Sequence, residues 1–98
     1  MRLTGLEADL IRQAVLSSFG PDSEVWLFGS RVDDSKKGGD IDLLVQPQVY
    51  PDNVLMTKIA CLKLLQQQLG EQKIDIVIEA QDDNRPIVEI ARKTGIKL

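Results

Sequence analysis

Residues 24–45 decide the reading: Glu24-Val25-Trp26-Leu27-Phe28-Gly29-Ser30-Arg31 is followed, across an irregular stretch ending at Gly38-Gly39, by Asp40-Ile41-Asp42-Leu43-Leu44-Val45. The run from Glu24 to Phe28 is short, β-prone and halted by Gly29-Ser30. The run from Ile41 to Val45 is of the same kind, bounded upstream by the paired glycines and downstream by Pro47. Two neighbouring strands are predicted. Asp40 and Asp42 flank Ile41, so on a strand both side chains leave from one face, with α-carbons about 6.5–7 Å apart at a rise of about 3.3 Å per residue. Two carboxylates so placed can converge on one ion.

Outward from this stretch the pattern changes period. Upstream, Thr4 and Glu7 form a capping box ahead of Leu10, Ile11, Ala14 and Val15. This predicts an amphipathic helix ending near Phe19 and stopped by Gly20-Pro21-Asp22. Downstream, Asp52 to Leu69 carries Leu55, Ile59, Leu62, Leu65 and Leu69 at three- and four-residue intervals, with Gly70 at the C-cap position. From Lys73 to Ile78, Ile74, Ile76 and Ile78 alternate with Lys73, Asp75 and Val77, which predicts a third strand with one buried face. Pro86 opens a last helix whose inward residues are expected to be Ile87, Ile90 and Ala91, and Gly95 closes it. The order α-β-β-α-β-α predicts an α/β (α+β) fold, a small mixed β-sheet packed against helices, without repeats or long linkers. Residues 31–39 are the least regular.

A chain of 98 residues matches one domain, spanning 1–98. With 43% hydrophobic and 28% charged residues it has the balance of a globular protein. No apolar stretch approaches the roughly 18 residues of a membrane span, and the N-terminus lacks a signal-peptide core, so a cytoplasmic location and no membrane partner are expected. Cys61 is the only cysteine and histidine is absent. That composition excludes internal disulfides, Cys/His zinc sites and imidazole-based triads. Chemistry therefore falls to carboxylates, hydroxyls and cations. The net charge of −3 argues against stable nucleic-acid binding, which is built on Lys and Arg neutralising phosphates.

If the strand bearing Asp75 neighbours the strand bearing Asp42, three acids crowd one patch. Like charges at that range raise one another's pKa until a cation sits between them. An all-oxygen set selects a hard metal, Mg²⁺ or Mn²⁺, which keeps waters and completes its shell with substrate phosphates. Gly29-Ser30 forms a sharp turn where backbone approaches an anion and serine donates its N–H and hydroxyl to a phosphate oxygen, with a short helical turn adding its dipole. Arg31, Lys36 and Lys37 bring cations to the same loop. Arg31 has two partners open to it, a phosphate or Asp33/Asp34, and the lysines read equally as solvated charges. Trp26 reads as a core residue rather than a base-stacking platform, and Cys61 as a buried helix thiol. A calcium loop starting at Asp33 fails because Lys37 and Leu44 occupy ligand positions, and neither a Walker nor a Rossmann glycine motif occurs.

Phe28-Gly29-Ser30-Arg31, nine residues from Arg31 to Gly39, Asp40-Ile41-Asp42-Leu43 and then Ile74-Asp75-Ile76 resemble the minimal nucleotidyltransferases of the DNA polymerase beta-like superfamily. The resemblance covers most of the chain and implies that family's fold. It implies metal-dependent transfer of a nucleoside monophosphate, AMP from ATP, with release of pyrophosphate. Asp40, Asp42 and Asp75 would be the catalytic and metal-binding residues for two Mg²⁺ (or Mn²⁺) ions, Asp75 also helping to activate the attacking hydroxyl. Gly29, Ser30 and Arg31 would bind the nucleotide. Two departures stand out: Asp33-Asp34 replace a glycine common a few residues after Gly-Ser, and Gly39 takes a position usually held by serine.

Larger members of the superfamily carry a further acceptor-binding domain, for which this chain has no residues left. Similar small proteins act beside a helical partner of the HEPN class as the antitoxin of a toxin–antitoxin pair, some transferring AMP to the partner's tyrosine. The resemblance thus implies a protein adenylyltransferase. The alternative is a catalytically silent module that neutralises its partner by contact, while small-molecule nucleotidylation would need an acceptor cleft. Ile87, Val88, Ile90 and Ile96 offer more apolar surface than one small core needs, which suggests a homo-oligomer or a partner interface.

Overall fold

The computed structural model describes residues 2–35 and 39–98. In chain order these form α1 (Gly5–Phe19), β1 (Glu24–Phe28), a 3₁₀ turn (Gly29–Val32), β2 (Ile41–Gln46), α2 (Val54–Leu69), β3 (Ile74–Ile78), α3 (Pro86–Thr94) and β4 (Ile96–Lys97). The order is the one expected, with the 3₁₀ turn and the two-residue β4 added. Helix starts follow local chemistry. The Thr4 hydroxyl accepts from the Glu7 amide at 3.0 Å while Glu7 accepts from the Thr4 amide at 2.9 Å, and Asn53 accepts from the Met56 amide at 3.1 Å.

The sheet order is β3-β2-β1-β4. β1 pairs antiparallel with both β2 and β4, and β2 pairs parallel with β3. The α2 crossover makes that last pairing possible, since parallel neighbours need a connection of a dozen or more residues. Ile41, Leu43 and Val45 of β2 join Ile74, Ile76 and Ile78 of β3, Val25 and Leu27 of β1, and Ile11, Ala14, Val15, Phe19, Cys61 and Leu65 of the two long helices in the main core. Cys61 is fully buried, as expected. The opposite face holds a smaller cluster of Phe28, Leu44, Val88 and Ala91, flanked by Trp26 and Val77.

Two helix faces differ from the expectation. In α2, Leu55 and Ile59 are exposed and Cys61 and Leu65 carry the burial. The first turns of α2 stand off from the β3 edge across an open groove of about 580 Å³, lined in part by Tyr50, Val54, Leu55, Ile76 and Ile78, so periodicity there finds no surface to bury against. In α3, Val88 and Ala91 face the sheet while Ile87 and Ile90 are 40% and 53% exposed. Two apolar stripes overlap on this short helix and share Ala91, each residue turning about 100° from the last, and packing on the sheet selects the one that contains Val88. Trp26 is half-buried, with the Arg92 guanidinium 4.5 Å above its ring.

Candidate active site

Side chains alternate along a strand, and the register settles which acids meet. Asp42 sits opposite Phe28 on one side and Asp75 on the other, so the two carboxylates are lateral neighbours with α-carbons roughly 4.8 Å apart. Both lie on the face that bears α3. Two residues further along, the row Trp26, Leu44 and Val77 is apolar and packs with Val88 and Ala91. Asp40 precedes β2 and Lys73 precedes β3. The Ile41 amide donates to the Lys73 carbonyl at 3.0 Å, and the Lys73 ammonium lies 3.4 Å from Asp40 Oδ2. The three predicted acids therefore gather at one end of one sheet face.

Their electrostatics agree with that crowding. Burial, then the charges of Asp75 and Asp40, push the Asp42 carboxyl above the usual carboxylate range, with Lys73 pulling the other way. Among the described residues, no three acidic, histidine or cysteine side chains close into a metal cage as they stand. A donor set of carboxylates alone, with the Asp42 carboxyl pushed up by burial and by its acidic neighbours, nevertheless fits a hard divalent ion that relies on water and substrate oxygens for part of its shell.

The turn after β1 reaches the same point. Gly29 has φ +77°, and a Cβ built on it would strike the Asp42 carboxylate. The backbone of the Gly-Ser turn thus lies directly against the acidic patch. Gly39 has φ +94°, and a Cβ there would strike the Ser30 hydroxyl. This explains why serine is absent at that position: both backbone and space call for glycine. Asp33, one of the two acids noted in the loop, accepts from the Ser35 amide at 2.9 Å and from its hydroxyl at 2.6 Å.

Arg31 hydrogen-bonds three described residues. Its Nε donates to the Gly39 carbonyl at 3.3 Å, Nη1 to the Arg2 carbonyl at 3.0 Å and Nη2 to Gln72 Oε1 at 3.3 Å. Lys36 and Lys37 lie outside the described residues. Two residues at the site had no signal in the sequence: Arg2 and Gln72 belong to no motif, and only the folded chain brings them to the turn.

The family model for the nucleotidyltransferase domain matches residues 8–98, from within α1 through β4. The chain belongs to that family. The mixed sheet with its flanking helices is accordingly a polymerase-beta-like nucleotidyltransferase fold, and the chemistry of the family is transfer of a nucleoside monophosphate. No curated protein matches the chain significantly. Among the described residues of this nucleotidyltransferase, no helix is long and apolar enough to cross a membrane.

Proposed function

We propose that this nucleotidyltransferase transfers AMP from ATP, with Mg²⁺ or Mn²⁺, to a hydroxyl of a partner protein, acting as the antitoxin to a helical partner of the HEPN class. The observation that carries the chemical part is the contact between Gly29 and Asp42: the phosphate-binding turn and the acidic patch form a single site. Asp40, Asp42 and Asp75 would hold the metal, which when bound neutralises the triphosphate and stabilises the attacking and leaving oxygens of an in-line displacement. The Gly29 and Ser30 backbone and the Ser30 hydroxyl orient the β- and γ-phosphates. Asp75, exposed at the rim, is placed to accept the proton of an incoming hydroxyl. The partner follows from the resemblance to minimal nucleotidyltransferases, and the exposed Ile87 and Ile90 of α3 offer it apolar surface.

The test is transfer of label from α-phosphate-labelled ATP into a lysate of the source cells, comparing wild type with Asp42→Asn. A labelled protein band requiring both metal and Asp42 supports the proposal. Absence of transfer with every triphosphate, together with neutralisation of the partner by the Asp40→Asn/Asp42→Asn protein, would replace it with a silent module acting by contact.

A further inference from the structure

Three separate segments must be held in register for the site to exist: the Gly29-Ser30 turn, the lead into β2 that carries Asp40, and the lead into β3 that precedes Asp75. One side chain touches all three. The Arg31 guanidinium springs from the turn itself, bonds the carbonyl of Gly39 immediately before Asp40, and bonds the side chain of Gln72 two residues before Ile74. Gln72 is in turn fixed to the end of α2, donating to the Leu69 carbonyl at 3.0 Å and accepting from Gln66 Nε2 at 2.7 Å through its own carbonyl.

A second arginine locks the first. The Arg2 amide donates to the Arg31 carbonyl at 2.8 Å, its Nη2 to the Ser30 carbonyl at 2.9 Å and its Nε to the Asp33 carbonyl at 3.0 Å. Arg31 answers through Nη1 to the Arg2 carbonyl. Leu3, 8% exposed, anchors this segment in the main core. The Ser30 and Asp33 carbonyl oxygens of the turn are thereby occupied by guanidinium donors. Each of the three acceptors of Arg31 is met by a different guanidinium nitrogen, a spread that the single ammonium nitrogen of lysine cannot reproduce.

We propose that Arg2 and Arg31 form a reciprocal clasp and are positioning residues for the nucleotide site, holding the turn and both acidic leads rather than contacting the triphosphate. The proposal rests on the nucleotidyltransferase reading of the site, but one arm of its test does not. Amide exchange by NMR at Asp33, whose N–H donates to the Ser30 carbonyl, and at Ile41, whose N–H donates to the Lys73 carbonyl, reports clasp integrity without any ligand. Arg31→Lys and Arg2→Lys are each expected to speed exchange at both amides by about tenfold, the equivalent of one lost charged hydrogen bond. The melting profile should stay cooperative.

The second arm is affinity for Mg²⁺ with α,β-methylene ATP. Arg31→Lys is expected to lose about tenfold, as much as Arg31→Met, because charge without the fork does not restore the clasp. Unchanged exchange in both lysine variants overturns the proposal. So does Arg31→Lys binding like wild type while Arg31→Met does not, since charge alone would then suffice. If the wild type itself binds no nucleotide, the functional proposal falls and the exchange arm still decides the clasp. Should Arg31 variants fail to fold, Arg2→Lys alone gives the same two readings.

Discussion

Replacing Asp42 with asparagine tests the electrostatic account of the site without any assay of transfer. Its carboxyl is held above the usual value of 3.8 by burial first, then by Asp75 and Asp40, against the pull of Lys73. A carboxyl whose pKa is higher in the folded chain than in the unfolded one binds more protons when folded. Its contribution is therefore favourable at the acid end and is lost as pH rises from about 3.8 through the raised folded value. Asp42 and Asp75 are register partners about 5 Å apart, and two unit charges at that separation repel by about 1–3 kcal/mol between the dielectric of water and that of a protein surface. Asp75 is exposed, so screening favours the lower end, about 1 kcal/mol. For a domain of this size that is a Tm change of about 4–8 °C. In chelator at pH 8, Asp42→Asn should melt higher than wild type by that amount, and the gap should shrink toward pH 4. Added Mg²⁺ should raise the wild type and move the variant less. Circular dichroism melts decide the matter. A variant melting at or below wild type in chelator at pH 8, or equal Mg²⁺ shifts in both proteins, would refute the shared acidic patch.

Gly29→Ala should destabilise the protein by about 1–2 kcal/mol from the left-handed backbone alone, and more from the collision with Asp42; a melt and a nucleotide titration should fall together. Asp83 is 4% exposed and accepts from the Ala80 and Arg85 amides and the Arg85 guanidinium, which hold its carboxyl well below the usual range. Asp83→Asn should lower the Tm at neutral pH, and the deficit should close as pH falls below the ordinary carboxylate value and the wild type loses the same interaction. Burial pushes the Cys61 thiol up and removes it from solvent. Its reaction with a disulfide reagent at pH 8 should therefore be slow in the native protein and fast in denaturant; fast native labelling would contradict the packing of α1 on α2.

How much of this was legible in the chain varies with the range of the interaction that decides it. Caps and turns are local, so the α1 capping box, the ends of β1 and the Pro86 start were readable. Strand alternation is local too, and it put Asp40 and Asp42 on one face, whereas Asp75 joins them only through the pairing of β3 with β2. The helix faces were not readable in the same way. Leu55 and Ile59 keep the period of a buried stripe, yet both are exposed, and Leu55 faces the β3 edge only across an open groove. Ile87, Ile90 and Ala91 compete with Val88 and Ala91, and only the surface met by α3 chooses between them. β4 rests on two residues, below any pattern that a sequence can carry. Arg2 and Gln72 belong to the clasp through contacts spanning 28 to 41 positions, and nothing adjacent to them in sequence announces it.

The site's position follows from a division written into β2 itself. On the face opposite α1 and α2, that strand presents a carboxylate at Asp42 and an aliphatic side chain two residues later at Leu44. β3 repeats the change at Asp75 and Val77 in the same register. A helix laid on this face gains only where the row is apolar, because covering Asp42 and Asp75 would bury two like charges without a partner. α3, nine residues long and so about 13 Å at 1.5 Å per residue, accordingly packs on Leu44 and on Phe28, the apolar end of the carboxylate row, while Asp42 stays part-exposed and Asp75 exposed. The same two-residue step that fixes the core on this face thus keeps the acids within reach of solvent and of the proposed metal and substrate. Moving the boundary by that two-residue step would cover the acids or uncover the core. The Gly29 turn, arriving from β1 beside Asp42, then needs only its own left-handed backbone to bring the amides proposed to bind phosphate to the edge of that opening.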